Sequence, residues 1–270
     1  MFRNLPPITK NLLLINIICF LADMVFSRYG VNLSHILGLH YVTASEFGFW
    51  QPITYMFMHA NFSHLFFNMF AVLMFAPAIE DRWGSRRFLI YYLVTGIGAG
   101  IIQEIVWALQ LQPVLNSVDP LMAAQLANRV VTIGASGAVF GILLAFGWLF
   151  PDVRMYILFI PVPIRARTLV IIYALIELFT GLAPSAGDNV AHFAHLGGMI
   201  FGWLLILWWR HRGYDGFDST PWNDGSFRRG IEDIKRWIKD KWEDWFPPRH
   251  PRIKRDKNND YSDYHYHEPL

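Results

Sequence analysis

The chain has 270 residues, of which 54% are hydrophobic and 16% are charged, and its net charge is +2. A soluble domain carries about 45–50% apolar and about 25% charged residues, so this composition indicates a membrane protein. The small net charge, without a basic stripe between aromatic residues, gives no sign of a nucleic-acid partner. The single cysteine, Cys19, excludes an intramolecular disulfide and a Cys-x-x-Cys metal site.

Six apolar stretches predict a polytopic, all-α membrane domain, since a spanning helix needs about 20 mostly apolar residues. The predicted spans are residues 10–26, 64–79, 87–109, 133–150, 167–182 and 190–209. The first run resembles a signal peptide, but Asp23 interrupts it and no small-residue cleavage site follows. We therefore interpret it as the first transmembrane helix.

Basic residues are distributed unequally between the loops that join these spans. They precede the first span, separate the second from the third and the fourth from the fifth, and follow the sixth, whereas the opposite loops hold only Arg28 and Arg129. By the positive-inside rule, both termini are predicted to be cytoplasmic. The outer loop of residues 30–62 is rich in aromatic side chains, which favours a segment that lies partly in the membrane interface. An apolar stretch broken by prolines at 155–163 predicts a turn at the inner interface.

Charge is concentrated in the C-terminal part, where 12 of the 21 acidic and 11 of the 23 basic residues follow Arg212. This change predicts a membrane domain over residues 1–212 and a soluble tail over residues 213–270. Within the tail, apolar residues recur at helical spacing between charged ones, which predicts a surface-lying amphipathic helix at about 227–246. The polar sequence beyond Pro247-Pro248 is predicted to be disordered.

Ser136 lies near the start of the fourth span, between Gly134 and Gly137, with Gly141 one turn further along. Small residues at this spacing are typical of close helix packing, which would be the better interpretation if Ser136 stood alone. The alternative is a nucleophile whose small neighbours admit a substrate backbone, at a helix N-terminus that offers free N–H groups.

His195 lies in the sixth span and is followed by Gly198 and Gly202. It could have a purely structural role and form a hydrogen bond between helices. However, a serine nucleophile needs a base within hydrogen-bond reach, and histidine is the most common one. Ser136 and His195 both lie near the outer ends of their spans, and the glycines allow tight packing. We therefore expect a Ser-His dyad.

His64 and Asn68 are four residues apart on the second span, so they share one helix face. They could form a polar contact between helices, or donate hydrogen bonds to the oxyanion of a tetrahedral intermediate. A third triad member is not evident, because nothing ties the loop residues Asp188 and Asn189 to a histidine.

Several histidines near the outer face raise a metal site as an alternative. They are His59, His64, His192 and His195. No His-Glu-x-x-His motif is present and carboxylates near these positions look scarce, so we predict no metal and no cofactor. The acids within the spans are expected to contact other helices or the interface rather than to relay protons; they are Asp23, Glu104 and Glu177.

Four short motifs lie in order on the second, fourth and sixth spans. They are His64-Leu65-Phe66-Phe67-Asn68, Glu80-Asp81-Arg82-Trp83-Gly84-Ser85, Gly134-Ala135-Ser136-Gly137, and Ala194-His195-Leu196-Gly197-Gly198 with Gly202. Together they resemble the rhomboid intramembrane serine proteases over residues 10–210. The resemblance implies a six-helix bundle in which Ser136 is the nucleophile and His195 the general base. It also implies an oxyanion hole made by His64, Asn68 and the backbone N–H of Ser136.

The resemblance implies supporting roles for a further set of residues: Glu80, Arg82, Gly134, Gly137, Phe140, Gly198 and Gly202. Phe140 stands where some members of the family have a tyrosine behind the histidine, so an aromatic face is kept and a hydroxyl is lost. Residues 30–62 would be the family's membrane-embedded loop and residues 181–189 would cap the site. The fifth span would gate lateral entry of substrate.

The predicted function is hydrolysis of peptide bonds in or beside the transmembrane segments of single-pass membrane proteins. The alternative is a catalytically silent relative that binds membrane clients, although such relatives usually lack the serine or the histidine. A small transporter would need a midplane site and broken helices, which this pattern does not indicate. We expect a multi-pass protein of a bacterial inner membrane, and the sequence leaves its oligomeric state open.

Overall fold

The computed structural model describes residues 5–156, 163–182, 191–212 and 236. These residues are mostly helical. The helices are α1 (Pro7–Ser27), α2 (Leu33–Leu37), α3 (Gln51–Thr54), α4 (Phe62–Trp83), α5 (Ser85–Gln110), α6 (Gln112–Leu115), α7 (Pro120–Arg129), α8 (Ser136–Leu149), α9 (Ala166–Leu182) and α10 (His192–His211). A 3₁₀ turn lies at Tyr55–Phe57, and the strands are β1 (Leu39–His40), β2 (Val131–Thr132), β3 (Arg154–Tyr156) and β4 (Pro163–Arg165).

Each of the six predicted spans overlaps one of the long helices, namely α1, α4, α5, α8, α9 and α10. Within the described residues, four helices are long and apolar enough to cross a membrane, and these are α1, α4, α5 and α10. Helices α8 and α9 are shorter, with 14 and 17 residues. The predicted helical character of the membrane domain is therefore confirmed, while the count of six spans stays a prediction.

Large apolar side chains cover the outer faces of these helices. Ile18 on α1 is 61% exposed and Phe179 on α9 is 66% exposed. A soluble protein rarely exposes continuous apolar surface on this scale, whereas lipid tails accept it. The helices are thus arranged to face hydrocarbon on the outside.

The carboxylate of Glu80 joins the end of α4 to the start of α1. It is buried and accepts hydrogen bonds from the backbone N–H groups of Ile8 (2.9 Å) and Thr9 (2.7 Å), and from the hydroxyls of Thr9 (2.8 Å) and Ser85 (2.6 Å). The first N–H groups of a helix have no partner within the helix, so this carboxylate caps α1. Arg82 lies exposed in the last turn of α4, and its supporting role stays a prediction.

Glycines bring α5, α8 and α10 together at the centre of the bundle. A Cβ added at Gly198 on α10 would overlap the carbonyl oxygen of Gly137 on α8, and one added at Gly202 would overlap the hydroxyl of Tyr91 on α5. The Tyr91 hydroxyl also donates a 2.8 Å hydrogen bond to the carbonyl of Gly141. Close helix packing, considered above as an alternative to a catalytic site, is therefore present beside Ser136.

The predicted outer loop, residues 30–62, is folded against the segment that precedes Ser136. Strand β1 pairs antiparallel with β2, with Leu39 opposite Thr132. The backbone N–H of Gly134 donates to the carbonyl of Tyr55 at 2.9 Å, and the Tyr55 hydroxyl donates to the carbonyl of Gly96 at 2.6 Å. Such short strands are too brief to leave an alternating pattern, so the sequence did not predict them.

Three predicted segments lie wholly or partly outside the described residues. Strands β3 and β4 pair antiparallel, but residues 157–162 of the predicted inner turn lie outside the described residues. Residues 183–189 of the predicted cap also lie outside. The chain divides into two units, residues 1–224 and 225–270. In the second unit only Arg236 is described, so the amphipathic helix at 227–246 stays a prediction.

Candidate active site

The hydroxyl of Ser136 and the imidazole of His195 form a hydrogen bond, with 2.8 Å between Oγ and Nε2. Ser136 is the first residue of α8 and His195 lies in the first turn of α10. Close to these two residues along their helices, the backbones of α8 and α10 approach each other at Gly137 and Gly198. The hydrogen bond places a serine against a base, as nucleophilic catalysis requires.

The segment entering α8 has a backbone shape that favours glycine. Gly134 has φ of +131°, and a Cβ built there would lie 2.7 Å from Cε1 and 2.8 Å from Nε2 of His64. A larger residue would therefore be strained and would displace the His64 ring. The result is a narrow space between His64 and the N-terminus of α8, where the N–H of Ser136 lies outside the helical hydrogen-bond ladder.

His64 has a hydrogen-bonding arrangement that suits a donor. Its Nδ1 accepts a long hydrogen bond of 3.4 Å from the backbone N–H of Ala60. A neutral imidazole carries one proton, so an accepting Nδ1 assigns that proton to Nε2, the nitrogen beside Gly134. The ring of His59 contacts it edge-on, with centroids 5.0 Å apart. Burial, with His64 as a second cause, lowers the pKa of His59 to about 3, so His59 is neutral at physiological pH.

Asn68 lies one turn after His64 on α4 and is buried. Its side-chain Nδ2 donates a 3.0 Å hydrogen bond to the backbone carbonyl of His64. This bond runs along the helix instead of towards Ser136. The predicted role of Asn68 as an oxyanion donor stays a prediction.

Phe140 packs flat against the imidazole of His195. The two rings are nearly parallel, with 8° between their planes and 4.4 Å between centroids. On α9, the ring of Tyr173 contacts Phe140 edge-on at 6.2 Å. The aromatic face expected at position 140 is therefore in contact with His195.

Glu177 on α9 contacts the other nitrogen of His195, and sequence reasoning missed this contact. Its Oε2 lies 2.8 Å from Nδ1 of His195 and 2.7 Å from Nδ1 of His192. The expectation that carboxylates are scarce near these histidines is therefore wrong for Glu177. An acid within an apolar span was the available signal, together with two histidines three residues apart on the next span. Asp188 and Asn189, considered above, lie outside the described residues.

The same three side chains are a possible set of metal ligands. Glu177, His192 and His195 each offer one donor atom, and these atoms lie within 4.8 Å of one another. The direct hydrogen bonds between them already provide each donor atom with a partner. The absence of a metal and of a cofactor stays a prediction.

A family model described as the Rhomboid domain matches residues 46–212, which is more than half of the chain. The chain belongs to the rhomboid family. Rhomboids are integral membrane proteins, in agreement with the apolar helices described above. The matched range includes every residue of the site just described, from His59 to His195.

Several relatives are similar to this rhomboid over most of its membrane domain. The putative rhomboid protease YdcA of Bacillus subtilis is 34% identical over 156 residues, which are 58% of this chain and 65% of the relative. The rhomboid protease AarA of Providencia stuartii is 30% identical over 213 residues, 74% of this chain and 71% of the relative. The chloroplastic rhomboid-like protein 11 of Arabidopsis thaliana is 27% identical over 209 residues, 72% and 62% respectively.

The chain spans less than two thirds of the length of some of these relatives, including YdcA and rhomboid-like protein 11. Some of these relatives are named as proteases and others only as rhomboid-like. Family membership is thus established, and the activity of this chain is a separate matter.

Proposed function

We propose that this rhomboid is an intramembrane serine endopeptidase that cuts peptide bonds in or beside the transmembrane segments of membrane proteins. The observation that carries the proposal is the 2.8 Å hydrogen bond between Ser136 Oγ and His195 Nε2. It lies among apolar helices, where a hydroxyl and an imidazole would otherwise be costly. The names of YdcA and AarA as proteases support the same reading.

The reaction proceeds through an acyl-enzyme. Ser136 Oγ attacks the carbonyl carbon of the scissile bond while its proton passes to His195 Nε2. This attack forms a tetrahedral intermediate with an oxyanion. The intermediate collapses, the C–N bond breaks, and the proton on His195 goes to the leaving amine. Water then attacks the ester carbon and gives one proton to His195. The second tetrahedral intermediate collapses, the ester C–O bond breaks, and His195 returns this proton to Ser136 Oγ as the new carboxylic acid leaves.

The oxyanion is stabilised in the narrow space between His64 and the N-terminus of α8. The donors are the backbone N–H of Ser136, the Nε2–H of His64 and the second amide hydrogen of Asn68. Such donors act on charge that develops in the transition state, so they raise kcat more than they tighten substrate binding.

The proposed membrane topology follows from the basic residues in the loops and from the lengths of the apolar spans. Six spans, with both termini cytoplasmic, would place Ser136 towards the outer face of a bacterial inner membrane. Single-pass membrane proteins are the substrates, entering sideways from the lipid past α9. The membrane domain comprises residues 1–212, and the tail of residues 213–270 follows it.

Cleavage assays with purified protein test this proposal. The detergent-solubilised chain is incubated with a panel of single-pass helices, alongside Ser136→Ala and His195→Ala, and products are identified by mass spectrometry. Loss of cleavage in both variants is expected, together with loss of labelling at Ser136 by a fluorophosphonate. Cleavage by the Ser136→Ala protein would contradict the assignment of Ser136 as the nucleophile. Client binding without cleavage or labelling by the unmodified protein would identify a silent binder instead.

A further inference from the structure

We infer that Glu177 is a positioning residue for the active-site histidine, so that the site is a Ser136–His195–Glu177 array rather than a dyad. His192 holds the same carboxylate oxygen, Oε2, through its own Nδ1. The inference rests on the proposed function and adds to it a third group on a different helix.

The two ring nitrogens of His195 have partners of opposite chemical character. Nε2 lies 2.8 Å from the hydroxyl of Ser136, and Nδ1 lies 2.8 Å from Oε2 of Glu177. An ionised carboxylate can only accept hydrogen bonds, so it assigns the single proton of the neutral ring to Nδ1. The lone pair is then on Nε2, where it can accept the proton of Ser136. Without an acceptor at Nδ1, the ring is free to adopt the tautomer that cannot act as a base.

The burial of Glu177 argues against an incidental contact. The side chains of Glu177 and His195 are each only 10% exposed. A carboxylate at membrane depth is costly unless it is paired and hydrogen-bonded. Oε2 of Glu177 meets two imidazole Nδ1 atoms, those of His192 at 2.7 Å and His195 at 2.8 Å. Both hydrogen bonds can form at once, because a carboxylate oxygen has two lone pairs.

Helix α9 holds the imidazole of His195 from two directions. Tyr173 and Glu177 are four residues apart, so they share one face of that helix. Tyr173 contacts Phe140, which is stacked on the face of His195, while Glu177 contacts the Nδ1 edge of the same ring. A group held at its face and at both nitrogens has little freedom to rotate away from Ser136.

The carboxylate also has an electrostatic effect during the reaction. When Ser136 gives its proton to Nε2, His195 becomes an imidazolium 2.8 Å from the negative charge of Glu177. The attraction stabilises that charged state, which exists only after proton transfer. Glu177 stays ionised throughout, and the proton moves on to the leaving amine.

Substitution of Glu177 separates positioning from folding. For Glu177→Gln we expect a kcat lower by about 10²–10⁴-fold with KM within about threefold, because the amide can donate to Nδ1 and favour the wrong tautomer. For Glu177→Ala we expect partial restoration of kcat by added formate, which accepts from Nδ1 and carries the negative charge, and a smaller effect of formamide, which is a neutral acceptor. Glu104→Gln is the matched control, since Glu104 is a half-buried acid on α5 that accepts from the backbone N–H of Val42 at 3.0 Å. It should leave kcat unchanged.

The outcomes distinguish this inference from the proposed function. If the unmodified chain neither cleaves substrate nor reacts with fluorophosphonate, the proposed function fails. If it does both and Glu177→Gln keeps kcat within threefold, the function stands and the role of Glu177 is overturned. Loss of activity without rescue by formate, accompanied by a lowered melting temperature, would also overturn it, in favour of a purely structural role. Should Glu177→Gln not fold, Glu177→Asp decides: a reduced kcat at unchanged KM supports positioning, and a kcat equal to that of the unmodified chain refutes it.

Discussion

The rings of Phe140 and His195 lie nearly parallel, with centroids 4.4 Å apart, in a position that leaves both nitrogens of the imidazole free to meet Ser136 and Glu177. Such ring contacts are worth about 0.5–1.5 kcal/mol. Phe140→Leu should therefore lower kcat by about two- to tenfold through a less restrained His195, measured under saturating substrate. Phe140→Tyr keeps the ring and should stay within twofold, and equal losses in both variants would contradict a role for stacking.

Removal of the His64 imidazole should impair the chemical step. His64→Ala is expected to lower kcat by about 10²–10³-fold with little change in KM, because one donor to the oxyanion is lost. Asn68→Ala should cost less, since its observed hydrogen bond runs to the carbonyl of His64. Phe67→Ala is the control, because Phe67 is on α4 but points outwards. A KM effect with unchanged kcat in His64→Ala would indicate substrate binding instead.

Gly198→Ala should separate α8 from α10. The added Cβ meets the carbonyl oxygen of Gly137, which is backbone and cannot rotate away. Displacement of reacting groups by about 1 Å can cost on the order of 10²-fold in rate, so we expect at least a tenfold loss of kcat together with a lower melting temperature in detergent. Gly100→Ala is the control, since its nearest neighbour is the flexible end of Leu39 at 3.2 Å. Full activity in Gly198→Ala would show that this contact does not set the distance between Ser136 and His195.

His59 should make stability depend on pH. Its pKa is about 3 in the folded chain, whereas an unfolded histidine titrates near 6.5. Between these values the unfolded state binds the extra proton, so stability is lost as the pH falls from 6.5 towards 3, by up to about 1.4 kcal/mol per pH unit. Thermal unfolding in detergent across this range should show a smaller slope for His59→Phe than for the unmodified chain. His211→Gln, at the exposed end of α10, controls for the loss of a histidine, and equal slopes in all three proteins would refute the effect.

The helices could be predicted from the sequence because apolar run length is a local property. Each of the six predicted spans overlaps one helix, and the differences are in the residues at which the helices begin and end. The fourth was predicted to start at residue 133 but α8 starts at Ser136, because Gly134 has positive φ and the preceding residues pair with β1. These constraints come from backbone geometry and from a distant strand, and neither is visible in hydropathy.

The proximity of Ser136 and His195 could be expected because each side chain lies beside glycines on its own helix. Glu177 could not be assigned in the same way. It is 18 residues from His195 in sequence, on a different helix, and its position relative to α10 depends on how the two helices pack. An acid in an apolar span predicts a buried partner, but several partners were available.

The length of α8 has a consequence for how water reaches the substrate peptide bond in the proposed reaction. Its 14 residues rise only about 21 Å, at about 1.5 Å per residue, against a hydrocarbon core of about 30 Å. As a predicted span, α8 is therefore roughly 9 Å shorter than that core, and Ser136 is its first residue, at the predicted outer end. Hydrolysis consumes one water for every bond broken. A helix that ended at the membrane surface would expose its serine to solvent, but substrate segments buried in the membrane could not contact it. In the predicted topology, a helix this short leaves Ser136 below the outer surface, at the depth of the lipid tails, so the proposed reaction requires a path for water to that depth.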